Sequence, residues 1–256
     1  MKTTVLALLI LFAAFAKAQT NDPPILTPNL KDGFFQDNRG ESAIANEGSL
    51  GGNFVVWQGA GTLDVVKSDL NGNETLKLSP RAELGDESTL LPCLIYRNMP
   101  EDFPRGVTFQ ARIKPDPDWQ LSQCDVLSAR VSDRGTGLSV TYRPDGSLLD
   151  VISGEGGVDG HYWGITSDKR TRISPSEWTH IAAVYDAESK QFRVYLNGQP
   201  AAESQTGLDL TAMSPTLTIG AYRGGYAYPF RGEIMDIAIY DYPRTEEQIQ
   251  KDADGK

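Results

Sequence analysis

The chain has 256 residues and a formal net charge of −10, with 24 basic and 34 acidic side chains. Because no basic cluster offsets this acidity, the sequence excludes the electrostatic footprint of a nucleic-acid-binding protein and disfavours anionic membranes as partners. No apolar run is long enough to span a bilayer, so membrane insertion is not expected.

The first residues have the pattern of an export signal. Lys2 precedes an apolar run from Val5 to Ala16, and Ala16-Lys17-Ala18 fits a cleavage site with small residues at both ends. The pattern predicts a signal peptide over residues 1–18, and hence a secreted, extracellular protein, or a periplasmic one in a Gram-negative host. The remaining chain is long enough for one large domain with a sizeable core.

Residues 19–33 contain three prolines and predict an irregular leader, followed by one domain over residues 34–256. In that domain, short runs of alternating apolar and polar residues predict β-strands separated by turns. Asn197-Gly198 supplies the φ > 0 conformations of a tight hairpin turn. Only residues 245–252 are expected to be helical, because Thr245 can cap and Glu246 suits the first turn. Strands are predicted at 63–66, 75–78, 90–96, 106–114, 126–131, 138–142, 148–152, 178–185, 192–196, 217–220 and 230–240.

The two cysteines permit a single intramolecular bridge. In an exported chain a disulfide between Cys93 and Cys124 is the default expectation, and loop entropy would make it stabilising by roughly 3–4 kcal/mol. Two free thiols are the alternative. Asn73-Glu74-Thr75 is an N-glycosylation sequon, which has meaning only in a eukaryotic host.

Motifs near the C-terminus follow a distinctive order. Trp178-Thr179-His180-Ile181-Ala182 comes first, a strand ending in Asn-Gly follows, then Ile219-Gly220, and finally a strand that begins Phe230-Arg231-Gly232. This order resembles the laminin-G-like, concanavalin A-like jelly-roll family. The resemblance implies an all-β, two-sheet antiparallel β-sandwich with a short C-terminal helix. It also implies that the most common function is binding of glycans or matrix proteins, although fold does not determine function.

Acidic residues on the last strand raise an enzymatic alternative. Glucanases of this fold class place several carboxylates on one face of a strand, whereas Glu233 and Asp236 are three residues apart and fall on opposite faces of a regular strand. A β-bulge could bring them to one face, and a retaining glycosidase needs its carboxyls about 5–5.5 Å apart. We therefore assign no catalytic residue and keep a glycoside hydrolase or lyase as an alternative.

The two histidines receive different interpretations. His180 shares a strand face with Trp178, Ala182 and Val184, which predicts a packed, hydrogen-bonded ring. His161 lies in a glycine-bounded stretch, where a lyase would need a base, but no paired lyase motif accompanies it. Trp57 and Trp178 are expected in the core.

Calcium is a possible cofactor by resemblance. Domains of this family often hold Ca²⁺ at a sheet rim with Asp side chains and backbone carbonyls, as a hard cation requires. The opening loop offers Asp37, and the last strand offers Asp236 one place later than the family's usual Asp. These two residues are the predicted metal ligands.

Aromatic residues in two glycine-rich stretches favour sugar binding, because sugar C–H groups stack on flat rings while polar side chains orient the hydroxyls. One stretch contains Tyr162 and Trp163. The other runs from Ala221 to Pro229, and here it is called the tyrosine loop. Its candidate ligand-binding residues are Tyr222, Arg223, Tyr226 and Tyr228.

The sequence thus predicts a secreted, non-catalytic domain that binds a polysaccharide, another glycan or a matrix protein through aromatic residues in its rim loops. A polysaccharide-cleaving enzyme on the same fold is the first alternative. An acidic structural matrix protein is the second, since net charge of this size favours solubility and surface interactions over a defined pocket.

Overall fold

A computed structural model describes residues 22–81, 90–119, 121–130, 137–145, 148–154, 162–167, 172–205 and 213–255. Within these residues the chain forms sixteen strands and one helix. The predicted signal peptide lies outside the described residues. The strands are β1 Phe35–Gln36, β2 Ser42–Ala45, β3 Asn53–Trp57, β4 Gly61–Lys67, β5 Glu74–Pro80, β6 Cys93–Arg97, β7 Gly106–Pro115, β8 Cys124–Arg130, β9 Gly137–Arg143, β10 Leu148–Gly154, β11 Tyr162–Thr166, β12 Thr179–Asp186, β13 Gln191–Leu196, β14 Gln199–Gln205, β15 Thr216–Ile219 and β16 Gly232–Tyr240; the helix α1 is Glu246–Ala253.

The strands form two sheets whose ladders are antiparallel. The nine-stranded sheet has the order β1-β2-β3-β6-β15-β8-β9-β10-β11, and the seven-stranded sheet has the order β14-β13-β12-β7-β16-β5-β4. Each sheet buries one face against the other, as a β-sandwich requires. The predicted fold class is confirmed.

Strand alternation explains how the core forms. In β13, Phe192, Val194 and Leu196 belong to the main core, whereas Tyr195 lies on the outer face of the sheet. The turn after β13 has the predicted positive φ values, 49° at Asn197 and 77° at Gly198. Successive side chains of a strand point to opposite faces, so this pattern fixes the register of the sheet against the core.

The helix α1 covers part of the outer face of the seven-stranded sheet. Thr245 caps it: the Gln248 N–H donates to Thr245 Oγ1 at 3.2 Å, and the Thr245 N–H donates back to Gln248 Oε1 at 2.9 Å. Ile249 is fully buried against Ala182, Val184 and Tyr195. The predicted helix and its cap are confirmed.

Several segments differ from the sequence predictions. Strands β2, β3, β11 and β14 were not predicted, and residues Ile25 and Leu26 of the predicted leader pack into the core. The core prediction for Trp57 and Trp178 is wrong. Trp57 follows the core residue Val56 and therefore lies on the outer face, while the indole N–H of Trp178 donates to Asp69 Oδ1 at 2.7 Å.

The predicted disulfide is also wrong, since Cys93 and Cys124 are buried free thiols. Cys93 packs on the outer face of its sheet with Ile95, and Cys124 belongs to the main core. Strand β15 separates the two cysteine-bearing strands, so their Cα atoms are at least about 9–10 Å apart, beyond the reach of a disulfide. Burial raises the pKa of the Cys93 thiol to about 12.

Candidate functional site

The tyrosine loop connects β15 to β16 and lies against the outer face of the nine-stranded sheet. The amide N–H groups of Gly225 and Tyr226 both donate to the Tyr222 carbonyl, at 3.1 and 2.9 Å. Gly225 has φ +95°, and its carbonyl accepts from the Leu91 N–H at 2.7 Å. A Cβ at this glycine would lie 2.7 Å from the Leu91 carbonyl oxygen, so only glycine permits this close approach.

Hydrogen bonds to neighbouring residues hold the middle and the C-terminal end of the loop. The Gly224 N–H donates to Thr218 Oγ1 at 2.6 Å, and the Asp125 N–H donates to the Tyr228 carbonyl at 2.8 Å. The Trp119 indole N–H donates to the Pro229 carbonyl at 3.0 Å. The loop is therefore a fixed surface on the sheet.

The tyrosines of the loop divide into exposed and buried rings. Tyr226 and Tyr228 are 49% and 38% exposed, and Arg223 is also exposed. Tyr222 is only 4% exposed, and its ring centroid lies 5.8 Å from that of Tyr228. Tyr222 thus supports Tyr228 from behind, and the solvent-facing part of the predicted site is Arg223, Tyr226 and Tyr228.

The backbone of Tyr228 adopts a left-handed conformation, with φ +49°. For a bulky residue this conformation costs on the order of 1–3 kcal/mol and persists only where the surroundings impose it. The hydrogen bonds from Asp125 and Trp119 at and beside this residue impose it here. Such outliers cluster at ligand-binding sites, which supports the tyrosine loop as a candidate site.

A row of buried polar residues lies beside the C-terminal end of the tyrosine loop, on the outer face of the nine-stranded sheet. Asp125, Ser128, Ser139 and Thr141 are at most 2% exposed. The Thr141 hydroxyl donates to Asp125 Oδ1 at 2.9 Å. Burial raises the pKa of Asp125 to about 7, although the hydrogen bond from Thr141 and the charge of Arg130 lower it. This carboxyl can therefore both donate and accept near neutral pH.

The sequence interpretation missed this row, and alternation alone could not have revealed it. In β9 the polar residues Ser139 and Thr141 alternate with the core residues Leu138, Val140 and Tyr142. In an antiparallel strand such alternation normally indicates a polar face in contact with solvent, so the burial of this row is visible only in the structure. Asp125 escaped notice because a register shift between Asp125 and Leu127 interrupts the alternation in β8.

The second aromatic stretch lies elsewhere on the same sheet. Tyr162 and Trp163 belong to the edge strand β11, whose backbone pairs with β10, so they are not in a loop as expected. Their side chains lie outside the described part of the structure, as does His161 altogether. Strands β8, β9 and β10 separate them from the tyrosine loop. The two stretches therefore do not form one compact site.

The predicted metal ligands belong to different sheets. Asp37 belongs to the turn after β1, where its Oδ1 accepts from the Arg39 and Glu41 N–H groups at 2.8 and 2.9 Å. Asp236 belongs to the other sheet and forms an ion pair with Arg112 at 2.9 Å. Among the residues that the structure describes, no three His, Cys, Asp or Glu side chains are grouped to hold a metal ion. Asp37 and Asp236 do not fit a shared calcium cage.

The expectation that Glu233 and Asp236 occupy opposite faces is wrong. The register between β16 and β7 shifts between Met235 and Ala238, and Asp236 has φ +52°, which marks a β-bulge. The bulge places both carboxylates on the outer face. They still line different clefts: Glu233 pairs in register with Lys77 and Lys114, whereas Asp236 contacts Arg112.

Comparison with solved structures identifies the same fold in larger proteins. The binding domain of botulinum neurotoxin serotype D matches with a TM-score of 0.62 at 16% identity, over 92% of this chain and 52% of that one. The serotype D ligand-binding domain in complex with N-acetylneuraminic acid gives 0.61 at 15% identity, over 92% and 52%. The type G receptor-binding domain gives 0.58 at 13% identity, over 91% and 51%.

This chain therefore spans about half the length of these neighbours, and at such identities the likeness concerns the fold alone. No curated protein sequence matches the chain. No described helix has the length and apolar character needed to cross a membrane. A family model described as the concanavalin A-like lectin/glucanases superfamily matches residues 97–250, which is more than half of the chain, and the protein belongs to that superfamily.

Proposed function

We propose that this protein is a non-catalytic carbohydrate-binding domain that acts outside the cell and holds its ligand at the tyrosine loop. The observation that carries the proposal is the pair of exposed rings at Tyr226 and Tyr228 on a loop fixed by hydrogen bonds to the sheet. The superfamily includes lectins, which is consistent with this function. The export pattern of residues 1–18 supports an extracellular location.

The surface of the tyrosine loop has the chemistry that sugars require. Tyrosine rings offer an apolar face for sugar C–H groups and a hydroxyl for hydrogen bonding, and Arg223 adds several N–H donors at the rim. Because the loop is already fixed, binding loses little conformational entropy. Pre-organisation of this kind favours a binding site over a loop that would need to order around its ligand.

A second candidate function is glycan cleavage, and one observation favours it. Asp125 and Asp150 both pair in register with Thr141, from opposite sides, so two carboxyls flank one position on the outer face of the sheet. Two strand spacings separate their Cα atoms by about 10 Å, near the carboxyl separation of about 6.5–9.5 Å in inverting glycosidases. With its pKa raised to about 7 by burial, Asp125 has the character of a general acid.

Burial argues against this second candidate. Asp125 is 2% and Asp150 9% exposed, so a polysaccharide has no direct access to either carboxyl. The rings of the tyrosine loop, in contrast, are already exposed to a ligand. Binding at the loop therefore remains the function that the geometry supports best.

A glycan array probed with the wild-type protein, followed by reducing-sugar release assays on every hit, tests the proposal. We expect saturable binding without release of reducing ends. Release that disappears in Asp125→Asn would establish the second candidate instead. A protein that binds no glycan but adheres to matrix proteins would contradict both and favour the structural alternative. Repeating the array with a chelator tests whether any binding depends on calcium.

A further inference from the structure

The outer face of the seven-stranded sheet carries a second cleft, on the opposite side of the sandwich from the tyrosine loop. It has a volume of about 650 Å³ and lies where α1 ends, so that the sheet is only partly covered. Gln110 and His180 form its floor, and Arg112, Asp236 and Asp252 contribute to its walls. The volume falls within the range of about 300–1,000 Å³ typical of small-molecule sites.

His180 is a buried ring without hydrogen bonds in the described part of the structure. The residue is 2% exposed, and neither Nδ1 nor Nε2 has a partner there. Its backbone is fully engaged, since its N–H donates to Asn197 Oδ1 at 2.9 Å and its carbonyl accepts from the Asn197 N–H at 2.7 Å. The prediction of a packed ring is confirmed, whereas the predicted hydrogen bonding of the ring is not found.

An unsatisfied buried polar atom costs about 1–3 kcal/mol, so two on one ring require an explanation. Burial, with help from Arg112 and Arg244, lowers the pKa of His180 to about 4. The ring is therefore neutral at pH 7 and has one N–H donor and one acceptor nitrogen.

Gln110 adds a second acceptor beside this ring. The residue is 6% exposed, and its Nε2 donates to Asp252 Oδ2 at 2.9 Å, which fixes the orientation of the amide. Its Oε1 then has no partner in the described residues. Because Ala182 is the register partner of Gln110, Gln110 and His180 are diagonal neighbours on β7 and β12. One donor and two acceptors therefore lie close together on the floor.

The charges around the cleft select against anions. Arg112 is held by Asp236 Oδ2 at 2.9 Å and by the carbonyls of Asp252 and Ala253 at 2.9 and 2.6 Å. It is the one cationic side chain among the described residues lining the cleft, which also include the carboxylates of Asp236, Asp252 and Asp254. A second guanidinium, that of Arg244, lies 2.5 Å from Asp252 Oδ2. With Arg244 included, three carboxylates face two guanidinium groups, so an anionic ligand would still meet an excess of one negative charge, while a neutral one is unaffected by it.

We propose that this cleft is a second binding site, separate from the tyrosine loop, for a neutral polyhydroxylated ligand such as a hexopyranose unit. A hydroxyl group both donates and accepts, so it can donate to Gln110 Oε1 while it accepts from the His180 N–H. A neighbouring hydroxyl can donate to the remaining nitrogen of His180. These three atoms are buried in this structure, so the side chains that cover them must move before two adjacent hydroxyls can satisfy all three.

Imidazole nitrogen-15 spectra test this site directly, because the protein has only two histidines and His161→Gln assigns them. The probes are the methyl glycosides of glucose, galactose and mannose, with methyl β-D-glucuronide as the matched anion. We expect a saturable shift of the His180 signals with at least one neutral glycoside and none with the glucuronide. No shift with any neutral glycoside would mean that only water occupies the cleft, and an equal shift with the glucuronide would refute the charge argument; either result overturns the proposal.

Gln110→Met locates the interaction, since it keeps the side-chain length and removes Oε1, together with the Nε2 group that donates to Asp252. The dissociation constant measured at His180 should rise at least about fivefold, the effect of one lost hydrogen bond of about 1 kcal/mol. Tyr226→Ala serves as the control and should leave that constant unchanged. An unchanged constant in Gln110→Met, or a raised one in Tyr226→Ala, would contradict the proposal. If Gln110→Met does not fold, the wild-type titrations alone decide.

Discussion

Asp125 and His180 are buried on opposite outer faces of the sandwich, and burial shifts their pKa values in opposite directions. On the nine-stranded sheet, burial raises the pKa of Asp125 to about 7. On the seven-stranded sheet, burial lowers the pKa of His180 to about 4. The common cause is that desolvation disfavours the charged form of any group. An acid thereby stays protonated to higher pH, and a base loses its proton at lower pH.

The largest expected effect concerns Asp125. Its folded pKa is raised above the ordinary 3.8, so its contribution to stability is fully present below about pH 3.8 and is lost as the pH rises through 7. The loss is on the order of 4 kcal/mol. Asp125→Asn should remove this dependence and exceed the wild type in stability above pH 7. Urea unfolding between pH 4 and 8 measures it, and parallel pH profiles for variant and wild type would contradict the raised pKa.

The contribution of His180 to stability should depend on pH in the opposite direction. Its folded pKa is depressed, so its contribution is present above the ordinary value of 6.5 and is lost as the pH falls from there to about 4. The size is on the order of 3 kcal/mol. Between pH 4 and 6.5 the two groups oppose each other, and the wild type should vary little on their account.

Single substitutions should separate the two opposing dependences of stability on pH. Asp125→Asn leaves the His180 contribution, so stability should fall on acidification. His180→Gln leaves the Asp125 contribution, so stability should rise on acidification over the same range. If the free energy of unfolding of both variants changed in the same direction with pH, the opposite responses of the two faces would be refuted.

The next effect concerns ligand binding at the tyrosine loop. Tyr226 is 49% exposed, so Tyr226→Ala should change the free energy of unfolding by no more than about 0.5 kcal/mol. We expect it to weaken glycan binding about tenfold, or about 1.4 kcal/mol, because a stacking face is lost. Tyr226→Phe retains the ring and should retain most of the affinity. Isothermal titration with an array hit measures both variants, and equal affinities for Ala and Phe would argue against stacking.

How much of this could be predicted from the sequence depends on whether a feature is local. Strand β13 and the Asn197-Gly198 turn were predictable because alternation and turn chemistry act within a few residues. Strand β14 was missed because it is an edge strand that contains Pro200, and an exposed edge needs no apolar alternation.

The sites depended on contacts that the sequence does not display. The second cleft joins Gln110, His180 and Asp252 from three separate elements. The bulge at Asp236 depends on a positive φ that the alternation of apolar and polar residues does not predict. The exposed rings of the tyrosine loop were foreseeable from composition, but their support by Tyr222 and Asp125 was not.

The smallest expected effect sharpens the same comparison at the helix that borders the second cleft. Thr245→Ala removes the hydroxyl that accepts from the Gln248 N–H, and loss of an N-cap costs about 1 kcal/mol. Because α1 packs through Ile249 on the seven-stranded sheet alone, fraying should shift the His180 imidazole signals and leave glycan affinity at the tyrosine loop unchanged. Thr245→Ser keeps the oxygen and should behave like the wild type. If Thr245→Ala instead weakened binding at the tyrosine loop, the two faces would be coupled through the core, and the separation of their sites would not hold.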